Sequence, residues 1–292
     1  MTNPVSIQAA FELSWDELHE TARGMMLRLG VFALAPIPWE LVEKCWSEMD
    51  AEELEETRDD LVQQHLVLIQ DKGFYKLHPL IREFCQLKLA ETEEQQEFKS
   101  AFAYVMLEIA QQIPEQPTRD LIPKLTPYIP HLAEVANRLT DCLSDEDLIT
   151  PFTRLARFYE SQGLYTLAEP WRQQCVDVAQ QRLKADHPDI ASSLNNLAGL
   201  YESQGRYSEA EPLSLQALDI DRRSLPQEHP SIANRLNNLA GLYYRQGRYA
   251  EAAQLLQEAL EIFESKLGEQ HPHTIQTRNN LETLQQAQPG SN

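Results

Sequence analysis

Nowhere in the 292 residues do apolar side chains continue for the ~18 positions that a bilayer-spanning helix needs, and the opening stretch MTNPVSIQAAFELSW has no basic segment followed by an apolar run. The expectation is a cytoplasmic chain without a membrane partner. Positive charge is scarce: 25 Lys and Arg stand against 45 Asp and Glu, a net charge of −20 that opposes phosphate backbones and anionic lipid. Nucleic acid is therefore not an expected partner. Cys45, Cys85, Cys142 and Cys175 are far apart and form no C-x-x-C pair, so reduced, packed thiols are expected rather than a metal or redox centre. No G-x-x-x-x-G-K-[ST] is present to cradle phosphates. No Ser, His and Asp set, nucleophile-elbow glycines or paired catalytic carboxylates stand out either. The chain offers no residue to carry a catalytic reaction, and no cofactor or metal is expected.

What the sequence does have is a period. LNNLAGLYESQGRYSEAEP begins at Leu194 and LNNLAGLYYRQGRYAEAAQ at Leu236, a step of 42 residues. Gly163, Gly205 and Gly247 keep that step, as do Pro188, Pro230 and Pro272, and Asn196, Asn238 and Asn280. Within one unit, Leu194, Leu197, Ala198 and Tyr201 follow the i, i+3, i+4, i+7 spacing of one helical face. This is the first helix of a pair. Gly205 permits a positive-φ turn, and Ser208 with Glu211 has capping-box spacing for the second helix, as do Thr166 and Glu169. Pro170 and Pro212 are read as first-turn prolines of these second helices. The pair His-Pro at His187, His229 and His271 introduces each following helix. Histidines one repeat apart are not read as zinc ligands, because zinc would need its nitrogens at ~2.0–2.1 Å from one point while packed helices stand ~8–10 Å apart; the closer pair His271 and His273 lacks a third ligand and is read as surface or capping residues.

A tyrosine closing the first helix, a small residue in the second and a paired-helix unit resemble a tetratricopeptide repeat, whose usual period is ~34 residues. The longer unit, with LNNLA.LY, QGRY.EA and HP, resembles the kinesin light chain type. The resemblance covers 147–284 and implies stacked helix pairs, three here, closed by a solvating helix from His273 and a loose tail at 289–292.

In the first half, Ser14 and Glu17 have capping-box spacing ahead of an apolar face with Leu18, Ala22, Met25, Met26 and Leu29. WELVEKCW and EELEETRDDLVQQH read as two further helices, LVLIQDKGFYKLHP as two strands around a turn at Asp71 to Gly73, and LIREFCQLKLA as a helix. That order, with FELSWDEL, PIPWELVE and YKLHPLIREF, resembles the winged helix that follows the ATPase core in NB-ARC or STAND-class signalling proteins. In many bacterial members tetratricopeptide repeats come next. The expected class is mainly α: a winged-helix-like domain over 1–90, a helical adapter over 91–146 broken by the proline-rich IPEQPTRDLIPKLTPYIP, and repeats over 147–288. The broken bridge is either a packed adapter or a hinge. By the same resemblance His78 corresponds to the histidine that contacts the β-phosphate of ADP, a role that requires an ATPase core in cis or in trans; Pro79 stands where that motif has its acid.

The first helices of the repeats carry the candidate site. Asn195, Asn196, Gly199 and Glu202 lie opposite the Leu/Ala/Tyr stripe, and Asn237, Asn238, Gly241, Tyr244 and Arg245 repeat the arrangement, with Asn280 continuing it. Asparagine offers both donor and acceptor, so Asn196, Asn238 and Asn280 either pair with the main chain of an extended peptide or bond neighbouring helices. In the resembled family this face is concave and such asparagines hold peptides. Gly199 and Gly241 cost ~1 kcal/mol each against alanine in a helix, so a packing or access need is expected there. The expected activity is non-catalytic binding of a protein or peptide that is neutral or basic where it touches the acidic chain. The alternatives are a transcriptional regulator that places the winged helix on DNA, and a regulatory subunit of a separately encoded ATPase. Against the first, Asp50, Glu52, Glu53, Glu55, Glu56, Asp59 and Asp60 crowd the third helix with only Arg58 opposing them.

Overall fold

The computed structural model describes the backbone of residues 4–287 and the side-chain surroundings of 11–286; the tail expected at 289–292 lies outside the described residues. The chain divides into two compact units, 1–162 and 163–292.

In the first unit, α1 (Pro4–Glu17) precedes α2 (Glu20–Leu29), so Ser14 sits inside a helix and caps nothing. The α2 cap is His19, whose ring nitrogen accepts the Ala22 amide at 3.3 Å, while Arg23 reaches back to the Trp15 carbonyl at 2.9 Å and closes the corner. The capping-box reading fails because an uninterrupted helix already runs through Ser14, whereas a cap must sit in extended backbone. Then come β1 (Ile37–Pro38), α3 (Trp39–Cys45), α4 (Ala51–Gln63), β2 (Val67–Asp71), β3 (Phe74–Leu77) and α5 (Pro79–Ala90). The hairpin turns where its residues indicate, and β1, too short to show a period, pairs antiparallel with β3 to give the order β1-β3-β2. Helices α2 and α5 approach closely: a Cβ on Gly30 would stand 2.9 Å from that of Cys85, and Gln86 bonds the Gly30 carbonyl at 3.0 Å.

The bridge packs. Helices α6 (Gln95–Gln111) and α8 (Ile129–Arg138), with the one-turn α7 (Ile122–Leu125) between them, share a core with the preceding elements. Phe32 is its centre, with ring centroids 4.7 Å from Phe102 of α6, 6.4 Å from Trp46 and 5.6 Å from His131 of α8. His131 is fully buried. Its Nδ1 accepts the Ala33 amide at 3.2 Å, which leaves the proton on Nε2 to donate to the Pro36 carbonyl at 3.1 Å. Beside it Arg82 of α5 bonds the Phe32 carbonyl at 2.6 Å and Glu134 of α8 at 2.5 Å. The loop 33–36 is thus held from α5 and α8 together. Helix α9 (Thr150–Glu160) also belongs here, its Arg154 bonding the Ile113 carbonyl at 2.6 Å.

The second unit is α10 (Tyr165–Arg182), α11 (Pro188–Ser203), α12 (Tyr207–Ser224), α13 (Pro230–Arg245), α14 (Tyr249–Leu267) and α15 (Pro272–Ala287). Helices α11 and α13 start on histidine caps: His187 accepts the Asp189 amide and His229 the Ser231 amide, each at 3.2 Å, and His271 does the same for His273 before α15. Gly205 and Gly247, at φ 74° and 78°, turn the chain into the second helices. Those second helices begin at Tyr165, Tyr207 and Tyr249, earlier than the capping-box spacing implied, behind Leu164, Arg206 and Arg248, which make no side-chain cap. Ser208 and Thr166 are therefore already helical, and Pro170 and Pro212 lie in the second turn, where each leaves a carbonyl four residues back without its usual partner.

Glu169 and Glu211, freed from capping, join the repeats instead. Arg206 bonds Glu169 at 2.8 Å and, three residues on, Glu209 at 2.7 Å, while its guanidinium lies 4.0 Å over the Tyr201 ring. One unit later Arg248 bonds Glu211 at 2.7 Å and Glu251 at 2.6 Å, 3.7 Å over Tyr243. Hydrogen bonding from Arg248 is the main cause that holds the Glu211 carboxyl below the ordinary range. Helix α15 buries Thr274, Thr277, Leu281 and Leu284 along one face, as a closing helix should.

Candidate functional site

The outward residues of α11, α13 and α15 follow one another at one-repeat intervals: α11 and α13 pack the same Leu/Ala face inward, Leu194, Leu197 and Ala198, then Leu236, Leu239 and Ala240, and α15 keeps Leu281 in that register. Between α13 and α15 lies an open recess of about 450 Å³ that brings together Glu202, Asn237, Asn238, Gly241, Tyr244, Arg245 and Asn280. Asn195, Asn196 and Gly199 stand outside it on α11. Asn195 is tied to it, its carbonyl accepting the Asn238 amide at 3.1 Å, and Asn237 faces the Thr277 hydroxyl at 3.5 Å. Neighbour bonding thus occupies part of the asparagine set, and Asn196 and Asn280 make no side-chain hydrogen bond among the described residues. Arg245 bonds Glu202 at 2.7 Å, so the charge of Glu202 is largely compensated by the next unit.

Gly199 and Gly241 have no packing reason. A Cβ added at either meets no heavy atom within 4 Å, so each leaves open space above the helix. Sequence reasoning missed Leu256 and Leu284, the buried floor of the recess, and Thr283 at its rim. The period could have found Thr283, since 42 residues before it stands Gly241; Leu256 comes from the second helix and had no such marker. His78 is distant from these residues in sequence, exposed, and caps α5 by accepting the Leu80 amide at 3.3 Å.

Among the described residues no group of three or more His, Cys, Asp or Glu is placed to hold a metal, and no helix is long and apolar enough to cross a membrane. The tetratricopeptide-repeat family matches residues 147–223, and a second tetratricopeptide-repeat family matches 232–273. These helix pairs are tetratricopeptide repeats. Crystal structures of kinesin light chain nearly identical TPR-like repeats from Podosopora anserina are similar: one is 25% identical over 67% of this chain and 88% of its own, with a TM-score of 0.52. A second from the same source is 26% identical over 65% of this chain and 87% of its own, TM-score 0.52. BtubC (BKLC) from P. vanneervenii, at 19% identity over 85% of this chain and 84% of its own, shares the fold with a TM-score of 0.51. No curated protein matches the chain. Tetratricopeptide repeats are protein–protein interaction scaffolds, and neither matching family is catalytic.

Proposed function

We propose that the chain is a non-catalytic sensor or scaffold whose repeats bind an extended protein segment on the face formed by α11, α13 and α15. The observation that carries this reading is the pairing of open space with unspent hydrogen bonds: Gly199 and Gly241 leave room for a main chain, while Asn196 and Asn280 offer amides that nothing in the described chain uses. A bound segment leaving water needs such partners, each worth ~0.5–1.5 kcal/mol net. The recess floored by Leu256 and Leu284 would take one apolar side chain.

The first unit fits a winged-helix adapter of the kind that follows an ATPase core: helix, short strand, two helices, a hairpin and a helix, with β1 on β3. His78 would report on nucleotide only beside such a core; in this chain its ring serves α5. Reading of DNA is opposed by α4, whose acids Glu52, Glu53, Glu55, Glu56, Asp59 and Asp60 are all exposed, with its Arg58 held by Asp59 at 2.8 Å and over Trp39 at 5.0 Å.

The test compares immobilised parent chain with an Asn196→Ala, Asn238→Ala, Asn280→Ala variant and with Gly241→Trp, after confirming equal helicity. Proteins retained from native cytosol by the parent and lost from both variants are the expected result. Identical retention by all three would move the binding face elsewhere.

A further inference from the structure

A second groove, of about 720 Å³, lies within the first unit between α3, the β2–β3 turn, α6 and residues 121–128. Three exposed lysines line it from three different elements: Lys44 on α3, Lys72 in the turn and Lys124 on α7. None is in an ion pair among the described residues, whereas Lys88 and Lys266 are. Glu40 and Glu43 share the groove, so its balance is one positive charge in a chain of −20. The sign of the lining residues alone is opposite to that of the whole chain. Trp39, Phe74 and Tyr128 supply apolar wall, and Pro123 and Pro127 stiffen the rim on the α7 side.

We propose that this groove binds a short acidic peptide segment, its carboxylates set among Lys44, Lys72 and Lys124 and its apolar side chains against the three rings. The size argues for a segment of several residues, since a small anion would leave most of the volume to water. Duplex nucleic acid fits less well: Trp39 touches Arg58, which places the exposed acids of α4 close by, where they would repel a continuous phosphate backbone. A peptide with a few carboxylates avoids that helix. Opposite charge at the rim speeds encounter and makes affinity depend on salt.

The probe is a fluorescein-labelled hexapeptide of alternating Glu and Leu, followed by anisotropy with the full chain at low and at ~150 mM salt. Saturable binding that weakens with salt is expected, falling roughly tenfold or more when the exposed lysines are reversed together (Lys44→Glu, Lys72→Glu, Lys124→Glu). The Asn196, Asn238 and Asn280 variant should bind the probe as the parent does, which separates this groove from the repeat face. Absence of saturable binding, equal binding by the lysine variant, or stronger competition by duplex DNA or inorganic phosphate than by unlabelled peptide would overturn the proposal. Circular dichroism of the lysine variant shows whether a loss reflects charge or folding; if that variant unfolds, Lys72→Ala and Lys124→Ala singly must each weaken the probe, or the proposal fails.

Discussion

Protonating His131 removes the lone pair that receives the Ala33 amide and puts a charge where nothing compensates it. Burial lowers this imidazole to about 4, with Arg82 adding to the fall. Its unfolded counterpart takes a proton near 6.5, so between those values the unfolded chain binds more protons and stability falls as pH falls. The loss is complete below about pH 4 and amounts to roughly 3 kcal/mol, because each tenfold difference in proton affinity between the two states is worth ~1.4 kcal/mol. Urea unfolding of the parent between pH 7 and 4 should show it, and His131→Asn should be less stable at pH 7 with a shallower acid slope. Tyrosine positions that look equivalent in the repeat differ in the same measurable way. Tyr243 is 7% exposed whereas Tyr201 is half-buried, so Tyr243→Ala should cost roughly 3–4 kcal/mol and Tyr201→Ala clearly less. Equal losses would mean that the stacked guanidinium, not burial, sets both.

At the level of elements, the helix-to-helix turn depends on Gly247 at φ 78°, and a side chain there is strained even though space is free. Gly247→Ala should lower stability by roughly 1–2 kcal/mol, read from the melting of the second unit. Such glycines were legible because their 42-residue spacing repeats, and so were the histidine starts of α11, α13 and α15 and the Leu/Ala faces beneath the candidate site. The starts of α10 and α12 were not. Ser208 and Glu211 have the right residue types for a cap, but spacing carries no φ or ψ, and the glutamate bonds an arginine 37 positions away. The His131 bonds span 95 and 98 positions, and a lone histidine in a proline-rich stretch gives no period to follow. Of the site, the outward asparagines and glycines could be read from helical geometry; their mutual bonds, and the Arg245 pairing that offsets Glu202, depend on how far one repeat rotates against the next.

For the molecule as a whole, the excess of acid sets what stays away. With −20 net charge, the exposed acids of α4 and no phosphate cradle in the sequence, purified chain should show no micromolar affinity for ATP or for duplex DNA at ~150 mM salt. Calorimetry with each ligand checks this, and micromolar affinity for DNA would revive the regulator reading. The arginine links of the second unit have a further consequence, because they point one way. Each unit sends a guanidinium back to the carboxylate of the unit before it, and the series stops at both ends: Leu164 stands where Arg206 and Arg248 recur, and Ala253 where Glu169 and Glu211 do. An interior unit is therefore a self-sufficient cassette. A second copy of residues 205–246 placed after Gln246 would present Arg206 to the existing Glu211 and its own Glu211 to Arg248, so the lengthened protein should fold with one more link and no orphaned charge, whereas a copy of the terminal unit would break the chain of custody at alanine.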